Sequence, residues 1–194
     1  MTKIILASAS QSRGELLRNA GLDIEIIPAD IDENILKSKG YSVEETALKL
    51  AVEKALKVSI NHPDAYIIGA DQMMECDGQR FDKPVSTDQA RSHLQNLRGK
   101  THRLISSVSV IKSGECLWSH SQYAELEMRD FSDAFLEMYI KEVGDDVLTT
   151  VGGYRLESQG VQLFSRIEGD YFTILGLPLL AVLSYLRSLD ILNK

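Results

Sequence analysis

The sequence has little of what marks several large classes of protein. Its two cysteines, Cys76 and Cys116, lie forty residues apart without the spacing of a metal site, which indicates reduced thiols in a cytoplasmic protein. No apolar stretch is long enough to cross a bilayer, and Met1-Thr2-Lys3 leads directly into an apolar run without a signal peptide. We therefore expect a cytoplasmic protein that has no membrane partner.

Charge and absent motifs exclude further classes. The formal net charge is −7, and the chain has no basic run that would neutralise a nucleic-acid backbone. A small anionic substrate in a local basic pocket is compatible with that charge. The G-x-x-x-x-G-K-[ST] motif is absent, as are a G-x-G-x-x-G after the first apolar run and a G-x-S-x-G elbow. We therefore expect no nucleic-acid partner, and neither a P-loop, a dinucleotide-binding nor a nucleophile-elbow enzyme.

The order of the predicted elements indicates an α/β fold. The chain has 194 residues, of which 44% are apolar, and this suits one domain or two small lobes. The predicted strands cover 3–8, 23–27, 65–70, 103–111 and 117–128. The predicted helices cover 11–20, 42–59 and 132–142. Another opens at Thr87 and is closed by Gly99, and a last one starts at Pro178. Early alternation of strands and helices followed by a long hairpin predicts a mixed sheet rather than a purely parallel one.

The first strand ends in a run of small hydroxyl residues. Ser8, Ser10 and Ser12 precede Arg13 at the point where an apolar strand gives way to a helix. The unpaired N–H groups of a helix N-terminus favour an anion, and hydroxyl and guanidinium donors strengthen that preference. The junction therefore predicts a phosphate site. The alternative is a serine that only caps the helix and an arginine exposed to water.

Asp71 follows a predicted buried strand, 65–70, and is the most informative carboxylate of the chain. Ligands of α/β folds bind beyond the ends of strands, so its position favours a role in a site. A carboxylate there is costly without a partner, which a metal ion or a catalytic water would supply. The alternative is an aspartate that caps the next turn.

Further charged residues lie in loops or beside apolar faces. Glu33 belongs to an acidic loop that is predicted to be irregular, Lys54 borders the alanine-rich face of a helix, and Lys83 precedes a proline in a loop. Each also has an ordinary interpretation as a solvated charge, and His102 is best interpreted as a structural histidine. Carboxylates together with lysine and arginine are the mixture that phosphoryl chemistry with a divalent ion requires.

Eight short segments, in one order and at compatible spacing, match a known family. They are Leu6-Ala7-Ser8-Ala9-Ser10 with Arg13 and Leu16-Leu17, Asp32-Glu33, Ala51-Val52-Glu53-Lys54-Ala55, Gly69-Ala70-Asp71, Lys83-Pro84, Leu97-Arg98-Gly99-Lys100-Thr101-His102, Gly153-Tyr154, and Glu168-Gly169-Asp170-Tyr171 through Gly176-Leu177-Pro178-Leu179. With these segments the chain resembles the Maf family of nucleoside triphosphate pyrophosphatases over nearly its whole length.

The resemblance implies a twisted mixed β-sheet with flanking helices and two lobes around a cleft, similar to inosine triphosphate pyrophosphatases, in a single domain over 1–194. It implies hydrolysis of a nucleoside triphosphate to the monophosphate and pyrophosphate with a divalent cation, Mg²⁺ or Mn²⁺. Asp71 then resembles the catalytic carboxylate that activates water or holds the metal, and Glu33 resembles a second acidic residue of the site. The residues that resemble triphosphate contacts are Ser8, Arg13, Lys54 and Lys83.

Four positions differ from the commonest pattern of the family. Ser12 and the preceding glutamine stand where most members have arginine and proline. Gln72 stands where threonine is frequent, and Glu157 where glutamine is frequent. Gln72 and Glu157 resemble the branch that prefers 7-methyl-GTP over dTTP and UTP, a branch that tends to have a bulky residue at the position of Ser12.

The chemistry of a guanine base fits this branch. The Glu157 carboxylate can accept hydrogen bonds from ring and exocyclic N–H groups, and a cationic base can stack on Tyr154 or Tyr171. The sequence leaves open a preference for dTTP or UTP, and also a nucleotide-sensing regulator of cell division. A homodimer is one candidate for its assembly.

Overall fold

The computed structural model describes residues 2–193, which form a mixed α/β fold. The strands are β1 (Ile4–Leu6), β2 (Ile24–Ile26), β3 (Tyr66–Cys76), β4 (Gln79–Phe81), β5 (Thr101–Lys112), β6 (Glu115–Met128) and β7 (Phe164–Glu168). The α-helices are α1 (Gln11–Asn19), α2 (Glu33–Lys37), α3 (Val43–Ser59), α4 (Thr87–Leu97), α5 (Asp133–Val143), α6 (Tyr171–Ile174) and α7 (Leu179–Ser188). Short 3₁₀ helices cover Gly144–Leu148, Val151–Gly153 and Gln159–Leu163.

The seven strands form one sheet, and the predicted mixed sheet is confirmed, although β4 and β7 were not predicted. The strand order is β2-β1-β3-β5-β6-β7, with β4 paired to β3. The β1 strand pairs in parallel with β2 and β3, whereas β3–β4 and β6–β7 are antiparallel. The β3–β4 turn is Asp77-Gly78, where both residues have positive φ, the conformation that two-residue hairpins favour.

The chain divides into two compact units. The first comprises the chain up to Gln72, Ile105–Gln122 and the chain from Asp170 onward. The second comprises Met73–Leu104 and Tyr123–Gly169. Within residues 2–193 no helix combines the length and the apolar character needed to cross a membrane.

In the first unit both faces of the sheet are buried. Ile4 and Leu6 of β1 pack in one cluster with residues of α1 and α7, whereas Ile5 packs on the opposite side with Ala55 and Val58 of α3. Because successive side chains of a strand point to opposite faces, a strand covered on both sides reads as a continuous apolar run. This explains why the first strand could be recognised from its sequence.

In the second unit an aromatic cluster surrounds His102, which is only 1% exposed. Its Nε2 lies 2.6 Å from the hydroxyl of Tyr154, and the ring of Phe164 packs against both side chains. The interpretation of His102 as a structural histidine is therefore correct. Tyr154 is 4% exposed, so its prediction as a stacking platform for a base is wrong.

Two expectations about local structure near the predicted site are also wrong. The strand predicted to end at residue 70 continues to Cys76, so Asp71 lies inside β3 rather than beyond its end. The acidic loop predicted to be irregular contains α2, because the Asp32 side chain caps it by accepting a hydrogen bond from Asn34 N at 3.0 Å. The Ser42–Glu45 capping box that begins α3 is confirmed.

Candidate functional site

Asp71 is the most deeply buried acidic group of the predicted set, at 6% exposure. Its Oδ1 accepts a hydrogen bond from Lys54 Nζ at 2.6 Å, and the same ammonium lies 2.6 Å from Glu33 Oε1. Lys54 is therefore shared by two carboxylates. Its side chain is 12% exposed, which contradicts the interpretation of Lys54 as an ordinary surface lysine.

Close packing of α3 on β3 brings Lys54 to Asp71. Gly69 lies against α3, where an added Cβ would stand 2.0 Å from the carbonyl oxygen of Ala51 and 2.8 Å from Cβ of Ala55. Residues 69 and 71 of a strand share one face, and residues 51, 54 and 55 of a helix share another. The absence of a side chain at Gly69 thus lets the helix approach closely enough for the ion pair to form.

The two carboxylates that share Lys54 have pKa values shifted in opposite directions. Burial raises the pKa of Asp71, although the positive charges of Lys54 and Arg13 oppose that shift. Burial also tends to raise the pKa of Glu33, but the hydrogen bond and the positive charge of Lys54 outweigh burial, so the pKa of Glu33 is lowered. The two carboxylates of this site therefore differ in pKa, and Asp71, whose pKa is raised, is the better proton acceptor.

Arg13 is held rigidly at the start of α1. The Ser10 side chain caps the helix by accepting a hydrogen bond from Arg13 N. The guanidinium donates from Nε to Gly176 O at 2.7 Å, and from Nη1 to Ser8 Oγ at 3.1 Å and Ala70 O at 3.0 Å. No hydrogen bond of Nη2 is found among residues 2–193, so its two N–H groups remain for an anion. Burial lowers the pKa of Arg13, against the charges of Asp71 and Glu33.

The structure thus brings together Arg13 and Ser8 through a hydrogen bond, and Lys54, Asp71 and Glu33 through ion pairs, all within the first unit. The alternative for the serine junction is right about the cap, since Ser10 caps α1, and wrong about Arg13, which is buried rather than exposed to water. The phosphate site stays a prediction.

The predicted specificity residues are distributed over both units. Ser12 is half-buried on α1, next to Arg13. The amide nitrogen of Gln72 lies within hydrogen-bond distance of Ser106 Oγ (3.0 Å), Thr173 O (3.1 Å) and Ile174 O (2.9 Å). Lys83 and Glu157 belong to the second unit. There the Glu157 carboxylate accepts a hydrogen bond from Arg155 Nε at 2.9 Å.

Sequence reasoning missed the residues that hold Arg13 and Gln72. Gly176 lies in a segment that carries the family resemblance, and its φ of +98° explains why glycine is suited there. Ser106 and Thr173 are fully buried polar residues. No sequence signal marks Ser106, because buried serines in strands have many structural roles.

The acidic groups of this site fit the oxygen-rich ligand set that Mg²⁺ and Mn²⁺ prefer. Asp71 and Glu33 each have an oxygen close to one point, since Lys54 Nζ lies 2.6 Å from both. No group of three or more histidine, cysteine or acidic side chains suited to a metal occurs in residues 2–193. Two carboxylates suit a cation whose remaining ligands are substrate phosphates and water.

Comparison with known proteins decides the family. A family model described as Maf-like protein matches residues 3–189. The chain belongs to the Maf family. The resemblance found in the sequence is therefore confirmed, as is the mixed α/β fold with flanking helices.

Several proteins of similar length are close in sequence to this Maf-family chain. The "Nucleoside triphosphate pyrophosphatase" of Granulibacter bethesdensis is 48% identical over 189 residues, which is 95% of this chain and 96% of that protein. The protein of that name from Nitrobacter hamburgensis is 48% identical over 192 residues, or 98% and 95%. The "7-methyl-GTP pyrophosphatase" of Mesorhizobium japonicum is 44% identical over 195 residues, covering 98% of each chain. Among solved structures, the Ham1 protein of Staphylococcus aureus matches with a TM-score of 0.48 at 16% identity, over 66% of this chain and 73% of that one, a likeness from which we infer nothing.

Proposed function

We propose that this chain is a nucleoside triphosphate pyrophosphatase that hydrolyses the bond between the α- and β-phosphates. The observation that carries the proposal is the buried Asp71 carboxylate, ion-paired to Lys54, in the same unit as the buried Arg13. The names of the Maf-family relatives support it, because those that are 43–48% identical over nearly the full chain are pyrophosphatases by name. We propose that residues 1–194 act as one such domain.

Asp71 is the group that we propose as the general base. Its pKa is raised by burial, and a carboxylate with a raised pKa is a better proton acceptor at neutral pH. In the proposed reaction the oxygen of water bonds to the α-phosphorus and its proton passes to Asp71. The bond from the α-phosphorus to the bridging oxygen breaks, and pyrophosphate leaves with the electron pair. Lys54 fixes the orientation of the carboxylate through the 2.6 Å contact.

The phosphate chain would bind to the cations of the site. Arg13 has two N–H groups on Nη2 that lie outside its contacts within the protein, and a guanidinium is suited to phosphate oxygens. Ser8 supplies a hydroxyl beside it. Lys54 and Lys83 complete the proposed set, Lys83 on the family resemblance alone. Positive charges that face the phosphate oxygens stabilise the charge that develops on the leaving pyrophosphate.

We propose Mg²⁺ or Mn²⁺ as the cofactor, held by Asp71 and Glu33. When bound, such an ion polarises the phosphoryl group and neutralises its charge. Each carboxylate has a second oxygen besides the one that contacts Lys54. That of Glu33, Oε2, lies 3.2 Å from Lys37 Nζ, so a metal ion at this oxygen would replace the contact with Lys37.

For the base, we propose a preference for 7-methyl-GTP. The Glu157 carboxylate would accept hydrogen bonds from a guanine-type face, and the positive charge of the methylated ring adds attraction. Tyr171 is 49% exposed and can serve as a stacking platform, a role that burial denies to Tyr154. Relatives named for 7-methyl-GTP occur beside relatives named only for nucleoside triphosphates, which supports the activity more strongly than the base preference.

A panel of nucleoside triphosphates tests both the proposed activity and the proposed base preference. Purified protein is assayed with GTP, 7-methyl-GTP, dTTP and UTP in Mg²⁺ and in Mn²⁺, and pyrophosphate and orthophosphate are measured separately. We expect pyrophosphate and monophosphate, with 7-methyl-GTP the best substrate. Diphosphate and orthophosphate as main products would contradict the activity. Efficient release of pyrophosphate from dTTP or UTP instead would contradict only the base preference.

A further inference from the structure

Ser106 belongs to a hydrogen-bond network that reaches Arg13 of the proposed phosphate site. It is fully buried on β5, where its hydroxyl donates to Thr173 O at 2.8 Å and accepts from Gln72 Nε2 at 3.0 Å. A serine hydroxyl has one hydrogen and two lone pairs, so it can donate and accept at once, while the two hydrogens of Gln72 Nε2 are shared among Ser106 Oγ, Thr173 O and Ile174 O. Ser106 thereby joins two strands of the sheet to α6.

The helix α6 depends on such contacts, because four residues are too few to form a stable helix alone. The Asp170 carboxylate accepts hydrogen bonds from Thr173 N at 2.8 Å and from Thr173 Oγ1 at 3.0 Å. Gln72 Nε2 reaches the last two carbonyl groups of the helix. Thr173 is consequently fixed from both of its ends and is fully buried.

From Thr173 the network continues to the guanidinium of Arg13. Gly176 N donates to Thr173 O at 3.0 Å, and Gly176 O accepts from Arg13 Nε at 2.7 Å. An added Cβ at Gly176 would lie 3.3 Å from Arg13 Nε, so the backbone and the guanidinium are in close contact. A displacement of Thr173 would therefore move the carbonyl group that aims Arg13.

We propose that Ser106 is a positioning residue that sets the guanidinium of Arg13 through Thr173 and Gly176. The proposal rests on the proposed function only in that Arg13 is taken as a ligand of the phosphate chain. All of these contacts lie within the first unit, and they form an unbroken series of hydrogen bonds from Ser106 to Arg13.

The test is a double-mutant cycle that uses inorganic triphosphate as a probe without a base. Its affinity is measured by calorimetry with Mg²⁺ for the wild type, Ser106→Ala, Arg13→Ala and the double variant. Loss of one hydrogen bond that positions a ligand group predicts binding about fivefold to tenfold weaker in Ser106→Ala. In the Arg13→Ala background the same substitution is expected to change nothing, because the group that it positions is gone.

Two further variants separate positioning from general damage. Ser106→Thr keeps the hydroxyl donor and is expected to bind inorganic triphosphate more tightly than Ser106→Ala. Ser107→Ala removes another fully buried hydroxyl of β5, which pairs with Ser121 rather than with α6, and is expected to bind like the wild type.

Equal losses from Ser106→Ala in both backgrounds, or no loss in either, would overturn the proposal. Release of pyrophosphate from nucleoside triphosphates is scored separately with the same proteins. A wild type that binds inorganic triphosphate but releases no pyrophosphate would contradict the proposed function, while the cycle would still decide the role of Ser106.

Discussion

His102 is expected to make the stability of the protein depend on pH. Burial lowers its pKa from the ordinary 6.5 to about 4. The folded state then binds fewer protons than the unfolded state, so stability is fully present above pH 6.5 and is lost as pH falls toward 4. Each unit of difference between the folded and unfolded pKa corresponds to 1.36 kcal/mol, so the free energy of unfolding falls by about 3 kcal/mol.

The assay is urea unfolding at several pH values between 7 and 4. In His102→Gln the contribution of this residue to the pH dependence is expected to disappear. Tyr154→Phe is the matched control, since it removes the hydroxyl that contacts His102 Nε2. Burial is the cause of the shift, so this control is expected to be less stable throughout but to keep the slope. The same pH dependence in His102→Gln and in the wild type would refute the reasoning.

Three further substitutions test the site and its support. Asp71→Asn removes the proposed base and is expected to lower kcat about a hundredfold to ten-thousandfold, while the melting temperature changes little because Lys54 keeps its second carboxylate. Glu157→Gln is expected to reduce the ratio of kcat/KM for 7-methyl-GTP over UTP by about tenfold to a hundredfold. Gly69→Ala places a Cβ against Ala51 O and is expected to lower the free energy of unfolding by about 1–3 kcal/mol in urea titrations.

Each of these substitutions has a control and a contradicting result. Asp64→Asn, an exposed carboxylate of the same unit, is expected to leave turnover unchanged, and near-normal turnover of Asp71→Asn would place the catalytic group elsewhere. Glu137→Gln removes another glutamate paired with an arginine of the second unit and is expected to leave the substrate ratio unchanged. An unchanged ratio in Glu157→Gln, or wild-type stability in Gly69→Ala, would contradict the corresponding argument.

Much of the fold could be predicted because local signals agreed with it. The apolar run of β1 and the capping box of Ser42 and Glu45 were sufficient to place a buried strand and the start of α3. The Asp77-Gly78 pair is a hairpin signal that our sequence analysis did not use, and the β3–β4 turn was therefore missed. The helix α6 has four residues and is too short to show a helical period.

The errors at the candidate site have a common cause in contacts between distant segments. Asp71 was expected beyond the end of its strand, because the apolar run of 65–70 stops before it. A lone carboxylate inside a buried strand is costly. Lys54, contributed by α3, removes that cost, and no local pattern shows that it does. The prediction of Tyr154 as a stacking platform was wrong for the same reason. Its contact with His102, which comes from a distant part of the chain, arises only in the folded second unit.

The position of attack tests the central claim most directly. The protein is allowed to hydrolyse 7-methyl-GTP, or the best substrate of the panel, in water enriched in ¹⁸O, and both products are examined by mass spectrometry. Attack at the α-phosphorus predicts one ¹⁸O atom in the nucleoside monophosphate and none in pyrophosphate. Label in pyrophosphate, with unlabelled monophosphate, would contradict the account.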